Sequence, residues 1–123
     1  MIGYVTIGTN NLQRACDFYD TLLAEVGGNR MMEEDTFVAW MNESGGCGMA
    51  VSVPFDGNAA TVGNGVMVAI QVASQADVDR VYNKALELGG TDEGPAGPRG
   101  DDGFYAGYFR DLDGNKLNVF TMG

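Results

Sequence analysis

The chain has 123 residues, with 7 Lys or Arg against 17 Asp or Glu and a formal net charge of −10 at pH 7. This length fits one domain with an ordinary core. An acidic chain repels phosphate backbones and anionic lipid, so we expect neither nucleic acid nor membrane as a partner. The first residues do not have the basic and apolar regions of a secretory signal peptide, which favours a cytoplasmic location.

The first half predicts one strand, one helix and three further strands. Residues 4–9 have the composition of a strand, and Asn10-Asn11 supplies capping side chains for a helix whose apolar residues recur from Ala15 to Val26. Gly27-Gly28 ends that helix. Further strands are expected at about 29–34, 36–42 and 48–54, before a Gly- and Asn-rich linker at about 56–64.

The second half repeats this order. Sliding the sequence by 63 positions places Val5, Ile7 and Tyr19 on Val68, Ile70 and Tyr82. Ser74 begins the second helix, which is followed by a polar strand or loop at 91–103, a strand at 104–110, a turn at 111–115 and a strand at 116–121.

Because two copies of a unit normally bury a shared face, the repeat predicts an α+β fold. We expect two βαβββ modules, at about 1–55 and 65–123, within a single domain 1–123. Their curled mixed sheets would surround a cleft, with the helices on the outside.

Two segments carry a family resemblance, the opening run from Val5 to Tyr19 and the closing run from Phe109 to Leu117 around Asp113-Gly114-Asn115. With these motifs the whole chain resembles the vicinal oxygen chelate family, which includes glyoxalase I, bleomycin-resistance proteins and extradiol dioxygenases. The resemblance implies a small-molecule ligand and a homodimer. The closing turn also has a physical basis, since Gly and Asn tolerate positive φ in hairpins.

The resemblance also implies where metal ligands would lie. Family members that use metal place one ligand in the first strand of each module, here Tyr4 and Met67, and one in the last strand. In the second module that position is Asn118, where metal-binding relatives carry Glu, and its first-half counterpart is Ala50 or Ser52. These side chains suit divalent ions poorly. We therefore expect no metal and no other cofactor.

Strand alternation predicts which side chains line the cleft, because successive residues point to opposite faces. The aromatic candidates suit either the edge of the core or a ligand pocket; they are Trp40, Tyr105 and Tyr108. Arg99, in a Gly- and Pro-rich loop, either binds a carboxylate or phosphate or is neutralised by Asp101 and Asp102. No catalytic residue is assigned. The candidate ligand-binding residues are Tyr4, Thr6, Trp40, Met67, Arg99, Tyr105, Tyr108 and Asn118.

Three functions compete. The first is a metal-free binding protein for a small aromatic or cationic molecule, similar to the bleomycin-resistance branch. The second is a glyoxalase-like lyase or isomerase, or a dioxygenase-related enzyme, for a small carbonyl or conjugated substrate. Tyr4 or Tyr105 would then donate a proton or stabilise an oxyanion, and Asn118 would orient an oxygen. The third is a structural or interaction module.

Overall fold

The computed structural model describes residues 1–123 as two compact units, Met1–Gly63 and Asn64–Gly123. We call them the first and second modules. The boundary lies within the segment predicted to be a linker. Neither helix, at 13 residues each, is long and apolar enough to cross a membrane.

The first module contains five regular elements around one core. Asn11 caps the helix by accepting a hydrogen bond from the Arg14 backbone N–H at 3.1 Å. The helix buries a stripe that includes Phe18, Tyr19 and Leu22. Its elements are β1 (Tyr4–Gly8), α1 (Leu12–Ala24), β2 (Gly28–Glu33), β3 (Phe37–Asn42) and β4 (Gly48–Ser52), and the sheet order is β1-β4-β3-β2, with β1 and β4 parallel.

The second module repeats this plan. Ser74 accepts a hydrogen bond from the Asp77 backbone N–H at 3.1 Å, as the capping pattern predicts. The helix buries Val78, Val81 and Ala85. Its elements are β5 (Val68–Gln71), α2 (Gln75–Glu87), β6 (Thr91–Pro98), β7 (Tyr105–Arg110) and β8 (Lys116–Thr121), and the sheet order is β5-β8-β7-β6, with β5 and β8 parallel.

The α+β class, the two βαβββ modules and the mixed sheets are therefore confirmed. One local detail differs from the expectation for the closing turn. Gly114 has φ of 88°, but Asn115 does not have a positive φ. The turn is instead held by Asp111, whose Oδ1 accepts backbone N–H groups of Asp113 and Asn115, each at 2.9 Å.

The strand registers establish which residues of the two modules are equivalent. Ala50 pairs with Thr6, and Asn118 pairs with Ala69, which follows Thr6 by 63 residues. Ala50, rather than Ser52, is therefore the counterpart of Asn118. On the neighbouring strands, Ala39 pairs with Ala50 and Tyr108 pairs with Asn118.

Candidate functional site

Each sheet has one face covered by the helix of its own module, and we call the opposite face the helix-free face. In the second module, the Tyr105 hydroxyl donates a hydrogen bond to Asp79 of α2 at 2.7 Å. A Cβ atom on Gly107 would lie 2.7 Å from the Tyr82 ring of that helix. Because side chains alternate along a strand, Tyr108 belongs to the helix-free face, together with its cross-strand partner Asn118.

Asn118 lies at the centre of this face. It is only 2% exposed, between Ala69 on one side and Tyr108 on the other. Its Oδ1 atom is buried and has no hydrogen-bond partner in the chain. A buried acceptor without a donor costs free energy, and native structures contain few such atoms. Asn118 Oδ1 therefore needs a hydrogen-bond donor, and the chain does not provide one.

Two cationic side chains lie against the Tyr108 ring. The Arg99 guanidinium carbon is 5.4 Å from the ring centroid and the Lys116 Nζ is 5.6 Å from it, both within the range of a cation–π contact. Lys116 precedes Asn118 by two residues on β8, so both side chains lie on the same face. Phe120 follows at the same spacing and stacks on Phe104 with ring centroids 5.5 Å apart.

The backbone of β6 holds Arg99 in place. Its Nη2 donates to the Pro95 carbonyl at 2.6 Å and its Nη1 to the Pro98 carbonyl at 3.3 Å. Cβ atoms on Gly94 and Gly97 would lie 3.3 and 3.4 Å from these guanidinium nitrogens, so the two glycines make room for the side chain. The guanidinium forms no ion pair with an aspartate of its loop.

Arg99 and Lys116 differ from most cations of this acidic chain. Neither forms an ion pair with a carboxylate. Arg110, which shares their region of the sheet, donates to Glu93 at 2.7 Å and to the Gly114 carbonyl at 3.0 Å. Other cations are paired with carboxylates elsewhere: Arg30 with Asp20 and Glu33, Arg80 with Asp77, and Lys84 with Glu87.

The equivalent face of the first module has a different chemistry. Tyr4 is 61% exposed, and its ring contacts Phe37 edge-on with centroids 6.4 Å apart. Thr6 is exposed on the same strand, and its partner Ala50 is fully buried. Tyr4 and Thr6 thus lie where alternation predicts, on a face without charged residues beside them.

Met67 is the residue of the second module that corresponds to Tyr4. It immediately precedes β5 and is 41% exposed.

Trp40 lies on the helix side of its sheet. It is 2% exposed, its ring is 5.9 Å from that of Tyr19, and its Nε1 donates to Asp20 at 2.9 Å. Arg30 donates to both oxygens of Asp20, at 2.8 and 2.7 Å, and chiefly this lowers the pKa of the Asp20 carboxyl. Trp40 therefore ties α1 to the sheet and does not reach the helix-free face.

Tyr105 also lies on the helix side, because its hydroxyl is hydrogen-bonded to Asp79. That hydrogen bond is the main cause of the raised pKa of Tyr105. Of the predicted candidates, the structure brings together Arg99, Tyr108 and Asn118, and it separates Tyr105 from them. Lys116 was not among the candidates, although its spacing of two residues from Asn118 on one strand was a signal for it.

The positions that hold metal in related proteins do not fit a metal ion here. Ala50 offers no donor atom, and Asn118 offers one neutral amide oxygen where a carboxylate would be needed. Tyr4 offers a phenol and Met67 a thioether. No three Cys, Asp or Glu side chains anywhere in the chain are grouped closely enough to bind a metal ion.

Comparisons with known proteins agree with this architecture. The sequence-family model of the Glyoxalase/Bleomycin resistance protein/Dioxygenase superfamily matches residues 1–119. The crystal structure of a glyoxalase/bleomycin resistance protein from Albidiferax ferrireducens T118 is similar over 100% of this chain and 99% of its own, with 29% identity and a TM-score of 0.90. No match was found among curated proteins.

More distant structures share the fold. A glyoxalase/bleomycin resistance protein/dioxygenase family enzyme from Burkholderia phytofirmans PsJN has 15% identity and a TM-score of 0.79, with 98% of each chain covered. A glyoxalase-related enzyme from Fulvimarina pelagi has 19% identity and a TM-score of 0.76, covering 98% of this chain and 87% of its own.

Proposed function

We propose that the chain, which belongs to the Glyoxalase/Bleomycin resistance protein/Dioxygenase superfamily, binds a small organic molecule without a resident metal ion. The site we propose is the helix-free face of the second module, around Tyr108 and Asn118. The observation that carries this proposal is the buried Asn118 Oδ1, which has no donor within the chain. A ligand hydroxyl or amine would supply that donor and recover the desolvation cost, once the groups that cover Oδ1 in the free chain move aside.

The surroundings of Asn118 suit a small ligand. Along β8 the helix-free face changes from the charged Lys116, through the amide of Asn118, to the aromatic ring of Phe120. Ligand sites typically combine apolar walls with a few polar groups that set orientation. A molecule with one polar end and one apolar end would match this sequence of side chains.

A catalytic role has weaker support in the second module. The Tyr105 hydroxyl, a candidate proton donor, is held by Asp79 on the helix side, away from Asn118. General acid–base chemistry needs the donor within hydrogen-bond reach of the reacting atom. For this reason we place binding ahead of the glyoxalase-like lyase or isomerase and of a dioxygenase-related activity.

Titration of the isotope-labelled protein with a panel of anionic, neutral and cationic small molecules tests the proposal. We expect at least one class to shift the backbone amide signals of Tyr108 and Asn118 and the Asn118 side-chain amide. The substitution Asn118→Ala should abolish these shifts, whereas Asn58→Ala, at an exposed position of the first module, should not. Absence of binding across the panel would contradict the proposal.

Two accompanying expectations stay predictions. Sedimentation velocity at micromolar concentration tests whether the chain forms the homodimer that the family resemblance implies. Fractionation of the producing cells tests the cytoplasmic location.

A further inference from the structure

The charges around Tyr108 indicate which ligands the proposed site would select. We infer that the site takes small organic oxyanions, molecules with a carboxylate or phosphate group that also carry a hydroxyl or amine donor. This inference rests on the proposed function. It runs against the net charge of the chain, which by itself favours cationic ligands.

The distribution of charge is the first argument. The chain has 17 acidic residues, yet β5, β7 and β8 contain none of them. The two acidic residues of β6 are engaged: Asp92 accepts hydrogen bonds from Tyr82 and from the Gly94 backbone, and Glu93 accepts one from Arg110. The helix-free face of these strands is therefore locally cationic in an acidic protein.

The second argument is that the cations are available and positioned. Arg99 uses Nη1 and Nη2 to bind two backbone carbonyls, and both contacts leave further N–H donors of the guanidinium unused. Lys116 contacts the Tyr108 ring and no carboxylate. Because Arg99 is already held by the backbone of β6, binding an anion would cost little additional side-chain entropy.

The third argument comes from Asn118. Its unsatisfied Oδ1 is an acceptor, so an anionic oxygen alone would not satisfy it. The donor must come from a second group on the same ligand. Lys116 and Asn118 are two residues apart on one strand face, so a compact ligand could reach both. An oxyanion with a nearby hydroxyl or amine meets both requirements.

Four probes separate these requirements. Glycerate carries a carboxylate and hydroxyls, propionate only the carboxylate, glyceramide hydroxyls with a neutral amide in place of the carboxylate, and glycerol phosphate a phosphate with hydroxyls. Each is titrated by two-dimensional NMR against the intact protein, at low and at high salt. We expect glycerate or glycerol phosphate to bind most tightly, and the tighter of the two identifies the anionic group. Propionate and glyceramide should bind about tenfold more weakly, and added salt should weaken anion binding.

Two variants and two matched controls complete the test. Arg99→Gln and Lys116→Gln should each weaken anion binding about tenfold or more, because a hydrogen bond to a charged group is lost. Arg80→Gln and Lys84→Gln remove the same charges from α2 and should leave binding unchanged. A uniform loss in all four variants would indicate a response to net charge and would overturn the inference.

The inference and the proposed function can fail separately. If glyceramide binds at Asn118 as tightly as glycerate, and Arg99→Gln has no effect, the site exists but does not select anions. If a cationic compound binds there in preference, the inference is likewise overturned and the proposed function stands. If nothing in the wider panel binds, both fail.

Discussion

The two modules share a backbone plan but differ on their helix-free faces. At the two central positions the first module carries Ala39 and Ala50, and the second carries Tyr108 and Asn118. The alanine pair lies on a face that carries the hydroxyl groups of Tyr4 and Thr6 and no charged side chain on its strands, whereas the tyrosine–asparagine pair lies beside two cations. A repeat can thus preserve strand order and register while a few positions in one copy acquire the polar groups of the proposed binding site.

The helix sides differ as well. At equivalent positions of β3 and β7 the first module has Val38 and the second has Gly107. Gly107 allows Tyr82 of α2 to lie directly on the sheet. In the first module, α1 is instead tied down by Asp20, which accepts hydrogen bonds from Trp40 and Arg30.

The largest expected effect comes from giving the second module the valine of the first. Gly107→Val should lower the free energy of unfolding by about 3 kcal/mol, because the new side chain overlaps the Tyr82 ring in a packed core. Denaturant unfolding followed by circular dichroism measures it. Gly3→Val, where a Cβ would meet no atom within 4 Å, is the control. An unchanged midpoint would show that α2 can shift freely.

A somewhat smaller effect should distinguish the two helix anchors, the hydrogen bonds from Trp40 to Asp20 in the first module and from Tyr105 to Asp79 in the second. Asp20→Ala should cost about 2 kcal/mol, because the buried Trp40 N–H loses its acceptor, whereas Asp79→Ala should cost about 1 kcal/mol, because Tyr105 is less buried. Thermal unfolding of the two variants in parallel measures the difference. Equal losses would mean that the anchors are equivalent and the contrast is wrong.

The pH dependence of stability tests the same anchor from the acid side. The lowered pKa of Asp20 means that its ionised form stabilises the fold above the unfolded-state pKa of about 3.9, and that this contribution is lost as the pH falls through the folded-state pKa. Below about pH 4 the wild type should therefore lose stability more steeply than Asp20→Asn. Parallel acid-unfolding curves would refute this.

On the alkaline side the second module should respond. Burial, aided by the hydrogen bond to Asp92, raises the pKa of Tyr82 to about 12. The contribution is complete below the unfolded-state value of about 10 and is lost as the pH rises through the folded-state value. Tyr82→Phe should cost about 1 kcal/mol at neutral pH. As the pH rises from about 10 to about 12, the wild type should lose this advantage over the variant. The pKa of the Cys16 thiol is also raised, but Cys16 is present in both the wild type and Tyr82→Phe and does not contribute to the difference between them.

The smallest effect on stability should come from the proposed binding site. Asn118→Ala, which copies Ala50, should change the free energy of unfolding by less than about 1 kcal/mol, since removing a buried acceptor that has no donor offsets the packing lost with the side chain. Chemical denaturation in the absence of ligands measures the change. A loss of more than that amount would identify Asn118 as a structural residue instead.

The fold was predictable from the sequence because caps, helical periodicity and strand alternation all act locally. Asn11, Ser74 and the Gly27-Gly28 stop each act within a few residues, and the 63-residue repeat reinforces them. The same alternation correctly placed Tyr4 and Asn118, and applied to β7 it would also have separated Tyr105 from Tyr108.

The parts of the site that could not be predicted depend on contacts across strands. Arg99 lies over Tyr108 beside Gly94 and Gly97, where a Cβ would be 3.3 and 3.4 Å from its guanidinium nitrogens, and composition alone attributes these glycines to turns. Likewise, the unsatisfied state of Asn118 Oδ1 is a property of everything around it, and no sequence pattern contains it.

The irregular shape of β6 has a further consequence. This strand is at one edge of its sheet, contains Pro95 and Pro98, and shifts register against β7 between Asp92 and Gly94 and again before Gly97. Exposed regular edges recruit strands of other chains and lead to aggregation. Prolines without an N–H and repeated bulges make β6 a poor template for such pairing. The segment that positions Arg99 therefore also protects the sheet against edge-to-edge assembly.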